Sequence, residues 1–98
     1  MLEKVIERKM CELVWQHGGL TYKFTSPGYL GVPDRVVVTP RGAVWFIEVK
    51  SEKGRLTKIQ KWRKQELEKR NANVRVVQGW EEAKAFVIEV MGDGIQTA

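Results

Sequence analysis

A run of seven residues, Ala43 to Val49, is apolar but for one carboxylate and rich in β-formers. A strand of that composition has no wet face, which places it in the middle of a sheet with neighbours on both edges. Its far end breaks the pattern. Glu48 is followed two residues later by Lys50, and strand side chains alternate faces, so both project to the side of Phe46. Trp45, Ile47 and Val49 point the other way. A carboxylate and an ammonium at the end of such a strand are costly unless something there uses them.

The rest of the chain divides around that strand. Leu2, Val5, Ile6, Met10, Leu13 and Val14 recur at helical spacing, which predicts an amphipathic helix over residues 2–17 closed by Gly18-Gly19. The alternation of Leu20, Tyr22 and Phe24 predicts a strand over residues 20–25. Ser26 to Pro33, rich in Gly and Pro, is a loop. Arg35 to Thr39 is a second strand, and the Pro40-Arg41-Gly42 turn joins it to the apolar run as an antiparallel hairpin. Beyond the polar loop Ser51 to Arg55, Thr57 is placed to cap a helix running to about Arg70. Val74 to Val77 is a fourth strand. Glu81 to Met91 is a last helix with Gly92 as its stop, and residues 93–98 form a frayed tail. The order α-β-β-β-α-β-α describes an α/β domain with a mixed four-stranded sheet flanked by helices. The crossover through the second helix makes the strands on either side of it parallel.

With 98 residues the chain is a single domain, 1–98, and a core of that size is modest. A second copy of the chain is therefore a reasonable source of further buried surface. No stretch approaches the run of about 20 apolar residues that spans a bilayer. The N-terminus lacks the basic-then-apolar layout of a signal peptide, so the cytoplasm is the expected location. Cys11, the single cysteine, sits inside a helical pattern with no histidine beside it, as a reduced core or boundary thiol does.

The net charge is +5, and its distribution is more telling than its size. Residues 50–75 hold ten basic groups against Glu52, Glu66 and Glu68, while the rest of the chain is slightly acidic. A one-sided basic segment suits a polyanion such as nucleic acid, although a solvated helix face often has the same look.

Two carboxylates fall at the open end of the hairpin. Asp34 begins the second strand directly after Pro33, and Glu48 lies near the end of the third. If Asp34 pairs across the hairpin near Glu48, both come within reach of one divalent cation, and hard oxygen ligands with room left for water and phosphate suit Mg²⁺. Hydrolysis of a phosphodiester needs an activated water, neutralisation of the charge growing on the phosphate, and a proton for the leaving oxygen. Lys50 would orient that water, help to remove its proton, or stabilise the developing charge. On spacing alone, a structural ion pair explains Glu48 and Lys50 about as well.

Pro33-Asp34 followed by Glu48-Val49-Lys50 resembles the PD-(D/E)xK nuclease motif. The detail is similar to the VRR-NUC branch of that superfamily, in its stand-alone, phage-type form. The matching residues are Gly31-Val32-Pro33-Asp34-Arg35, the strand Phe46 to Lys50, and Gly54-Arg55-Leu56-Thr57 with Gln60. The resemblance implies a restriction-endonuclease-like core, Mg²⁺ or Mn²⁺ as cofactor, and hydrolysis of DNA. It also implies a homodimer acting on branched DNA such as four-way (Holliday) junctions. Asp34, Glu48, Lys50 and Gln60 are then the catalytic set. Asp34, Glu48 and the Val49 carbonyl are metal ligands, joined by Glu7, with Glu3 as the rival acid.

On a helical wheel Gln60 shares the core-facing stripe with Leu56, Ile59, Arg63 and Leu67, where its amide needs a partner. Lys23, Arg35, Lys53, Arg55, Lys58, Lys61 and Lys64 are the candidate phosphate contacts; such contacts position DNA without reading its sequence. His17 fits a helix C-terminus better than a catalytic role. Trp45 and Trp80 are expected in or near the core. Trp15 and Trp62 fall off the apolar stripes, as residues of a subunit interface or a base-stacking surface do. The competing functions are a flap or general duplex nuclease of the same fold, and a DNA-binding module without catalysis.

Overall fold

Strand register decides which residues of this chain meet. The computed structural model describes residues 1–96, with side chains through residue 92. The elements run α1 (Glu3–Gln16), β1 (Leu20–Lys23), β2 (Arg35–Val38), β3 (Val44–Lys50), α2 (Lys58–Glu68), β4 (Asn73–Gln78) and α3 (Trp80–Gln96). The sheet has the order β1-β2-β3-β4, with the first three strands antiparallel and β3 parallel to β4. The apolar strand is interior, as its composition requires.

One face of the sheet builds the core. Val37, Ile47, Val49 and Val77 pack against Ile6, Met10 and Val14 of α1 and against Ala83, Phe86, Val87 and Met91 of α3. Each buried aliphatic side chain stabilises the fold by roughly 1.5–3 kcal/mol relative to exposure. Trp45 and Trp80 flank this cluster, while Trp15 and Trp62 are 55% and 53% exposed. Cys11 is buried at the α1–sheet boundary, and burial pushes its thiol pKa up, so it is an inert thiol. His17 caps α1, its Nδ1 lying 2.9 Å from the Leu13 carbonyl oxygen. Among the described residues, no helix is long and apolar enough to cross a membrane.

The opposite face is only partly covered. Helix α2 packs on β4. Leu20, Tyr22 and Val44 stay exposed on β1 and β3, and Val36, Val38 and Phe46 are half-buried beside them. Glu48 and Lys50 lie on this same face at the end of β3.

Several boundaries differ from the sequence expectation. Gly92 does not stop α3, which continues to Gln96. The 93–98 tail is therefore helical over 93–96, and 97–98 lie outside the described residues. A mid-helix glycine costs only about 1 kcal/mol relative to alanine, and the packing of Phe86, Val87 and Met91 on the sheet outweighs that. Helix α3 starts one residue earlier than expected because Gly79 turns the chain at φ +88° and the Glu82 carboxylate accepts from the Gln78 amide at 2.9 Å. Helix α2 ends at Glu68, and Asn71 supplies the positive φ that redirects the chain.

Candidate active site

The last registered pair of the hairpin is Arg35 opposite Ile47, which puts Asp34 and Glu48 opposite each other at the next step. Asp34 is held by its backbone on both sides. Its amide donates to the Ile47 carbonyl at 2.9 Å, and its carbonyl accepts from the Phe24 amide at 2.8 Å. Strand β2 starts only at Arg35, so the Val49 amide takes the Asp34 carboxylate instead of a ladder partner, with Oδ2 at 2.8 Å. The expected cross-hairpin meeting of Asp34 and Glu48 is present. Val49 turns its amide toward Asp34, and it is the amide, not the carbonyl, that makes this contact.

Glu48 is the focus of the site. It is 4% exposed, and Lys50 Nζ lies 3.8 Å from its Oε2. Gln60 Nε2 donates to the same oxygen at 3.3 Å. Burial, then the charge of Asp34 and hydrogen bonding to it, push the Glu48 carboxyl from 4.5 up to about 8, against the pull of Lys50. Burial and the neighbouring Asp34 together disfavour the charged form of Glu48. A divalent ion in place of the proton would offset that penalty, so the oxygen donor set fits Mg²⁺ or Mn²⁺. Among the described residues, no three His, Cys, Asp or Glu side chains converge in a ready-made cage. The fit is thus that of an open site, completed by main chain, water and substrate.

Gln60 owes its position to the helix start. Thr57 Oγ1 accepts from the Gln60 amide at 3.2 Å, and Gln60 Oε1 accepts from the Thr57 amide at 2.9 Å. This capping box uses the side-chain oxygen and leaves the NH₂ group aimed at Glu48. The helical wheel turns Gln60 inward in need of a partner, and that partner in the structure is Glu48. The Thr-x-x-Gln spacing was the signal that would have found the box. Gln78 was missed altogether. It lies in register with Lys50, and its Nε2 donates to the Glu52 carbonyl at 3.1 Å and to the Gly54 carbonyl, tethering the loop that follows Lys50. Only the parallel register reveals that role.

The α1 acid is placed differently from the expectation. Glu7 Oε2 pairs with Arg35 Nε at 3.2 Å and Lys23 Nζ at 3.9 Å. It shares an open cleft of about 460 Å³ with Glu3, Lys23 and Asp34, but its carboxylate is turned to the two cations. Arg35 also donates to Cys11 Sγ at 3.2 Å and its side chain is 15% exposed. Arg35 therefore braces α1 against the sheet and is not an open phosphate contact. Lys53, Arg55, Lys58 and Lys61 are exposed, whereas Lys64 pairs with Glu68 at 2.9 Å.

Three likenesses bear on this arrangement. Residues 21–81 match the family model of the VRR-NUC domain. The protein named "Putative nuclease p44" of Acyrthosiphon pisum secondary endosymbiont phage 1 is 47% identical over 49 residues, which make up 50% of this chain and 53% of that protein. The chain thus aligns over about half the length of that relative. A solved VRR-NUC domain structure superposes with a TM-score of 0.80 at 30% identity, covering 87% of this chain and 92% of the other. With its Asp34–Glu48–Lys50 hairpin inside the matched segment, the chain belongs to the VRR-NUC domain family.

Proposed function

We infer that the chain is a divalent-metal-dependent endonuclease that hydrolyses DNA, selective for branched structures such as four-way junctions and active as a homodimer. The observation that carries the enzyme reading is the convergence of Asp34, Lys50 and Gln60 on one buried carboxyl group, Glu48. A binding module has no need of two carboxyl groups that a phosphate backbone would repel.

A Mg²⁺ or Mn²⁺ ion held by Asp34, Glu48 and the Val49 carbonyl would supply charge neutralisation and water activation. Glu7 is left out of that set because Arg35 and Lys23 already engage it. The remaining work falls to this chain's own groups. Lys50 places a positive charge beside Glu48, where it can stabilise charge growing on a phosphoryl oxygen and orient the attacking water. Gln60 holds Glu48 Oε2 and so fixes which oxygen is left free. Lys53, Arg55, Lys58 and Lys61 bind flanking phosphates without reading bases, which favours selection by shape.

The homodimer reading rests on the uncovered sheet face. Leu20, Tyr22, Val36, Val38 and Val44 carry no charge, which suits a self-complementary contact between two copies and not a phosphate backbone. Two equivalent sites related by a two-fold axis would match a two-fold junction.

The test is cleavage of duplex, flap and four-way junction DNA with Mg²⁺ or Mn²⁺, alongside the solution mass. Junctions should be cut fastest by a dimer, and Tyr22→Glu should give a folded monomer. Equal cutting of all three substrates would remove the junction preference in favour of a general nuclease, and a monomeric mass for the unaltered chain would remove the dimer.

A further inference from the structure

The side of helix α2 that faces away from Glu48 carries an exposed aromatic ring, with further exposed side chains beside it. Tyr29 and Leu30 of the loop before β2 are 62% and 80% exposed, and Trp62 of α2 is 53% exposed. Arg63 fastens these residues together. Its guanidinium carbon lies 4.9 Å from the Trp62 ring centre and 5.3 Å from that of Tyr29. Its Nε donates to the Leu30 carbonyl at 2.8 Å, and a second nitrogen meets Glu66 at 3.3 Å. The Arg63 side chain is consequently only 15% exposed, so it is a staple and not itself a surface charge. The rings it supports are held in place yet open to solvent.

Open aromatic rings on a fixed frame call for a ligand with apolar flat faces. The charge around them identifies its class. Lys58 and Lys61 flank Trp62 on the exposed side of α2, and among the described residues neither has a carboxylate at ion-pair distance. Aromatic faces interleaved with unpaired lysines fit bases and phosphates of an unstacked strand. The charge-free strip on β1 and β3 has the opposite character. Trp62 lies across α2 from Gln60, about one helix diameter away, roughly 10 Å.

We propose that Tyr29, Leu30 and Trp62 form a stacking platform for unpaired nucleobases of the substrate, a few nucleotides from the scissile phosphate, with Lys58 and Lys61 on the adjoining phosphates. The proposal rests on the nuclease reading and deepens it: a strand that leaves the duplex at a branch can reach the platform, whereas a stacked duplex cannot.

The experiment measures binding by fluorescence anisotropy in EDTA, where no cutting occurs. The probes are a labelled thymidine strand and an abasic strand of equal length. The unaltered chain should prefer the base-bearing strand by at least about fivefold. Tyr29→Ala combined with Trp62→Ala should abolish that preference while leaving abasic binding unchanged, and Trp62→Phe should retain most of it. Equal binding of both strands by the unaltered chain, or a preference that survives in the double variant, would overturn the platform. A change in solution mass in the double variant would also overturn it, by making the patch a subunit contact. Metal-dependent cutting, scored separately, distinguishes this failure from failure of the nuclease reading.

Discussion

Burial and charge meet on one side chain, Glu48. Its carboxyl is raised from 4.5 to about 8, so between those values the folded chain keeps a proton that the unfolded chain has released. The sign follows from linkage: stability of the metal-free protein falls as pH rises through that window and levels off above it. Asp34, Lys50 and Gln60 meet Glu48 directly and Glu3 of α1 acts on it through space; Asp34 and, more weakly, Glu3 add negative charge, and Lys50 opposes them. We therefore expect a metal-free Tm that is higher at pH 6 than at pH 8. Mg²⁺ or Mn²⁺ should raise Tm more at pH 8, where fewer protons compete for the site. Glu48→Gln should remove both responses, and a metal-free Tm that increases from pH 6 to pH 8 would contradict the assignment. Gln60 gives a complementary prediction. Gln60→Glu preserves the capping box but faces Glu48 with another carboxylate, so helix content should stay constant while cleavage drops at least about tenfold.

The site depends on two elements that the chain brings together from a distance. The loop before β2 delivers Asp34, and α2 delivers Gln60. Gly31 lets them touch: at φ +84°, a Cβ there would lie 2.9 Å from the Ile59 carbonyl carbon. Gly28, at φ +87°, would meet nothing within 4 Å. Alanine at either position incurs the backbone strain, about 1 kcal/mol or more, but only Gly31→Ala also pushes the loop off α2. Thermal unfolding should show a larger loss for Gly31→Ala than for Gly28→Ala, with reduced cleavage only in the former. Much of this level was legible beforehand. The apolar β3 run, the hairpin turn and the Thr57 cap each carry a local signal, and all three form, the strand one residue later than read, at Val44–Lys50. The position of Glu7 was not legible, because helix periodicity gives its face but not that Arg35 and Lys23 reach it first. Nor was the end of α3, where packing overrides the local tendency of Gly92. The tether from Gln78 depends on which residue of β4 falls beside Lys50, a long-range register with no local trace.

Across the whole molecule, chemistry is sorted by surface. One sheet face is closed by α1 and α3. The other holds the carboxyl pair at one end and an uncharged apolar strip towards the other, and the basic segment of residues 50–75 begins where β3 ends. A small domain has little surface to spare, and here the carboxyl pair, the exposed lysines of the basic segment and the uncharged apolar strip occupy neighbouring areas without overlap. Metal-dependent hydrolysis at the Asp34–Glu48 pair is the claim on which the rest depends. Its most direct test is single-turnover cleavage of a labelled junction by the unaltered chain and by folded Glu48→Gln, each with Mg²⁺ and with EDTA. The unaltered chain should cut with metal and not in EDTA, and Glu48→Gln with metal should cut at least about a hundredfold more slowly. Cutting in EDTA, or cutting at an undiminished rate by Glu48→Gln, would contradict it.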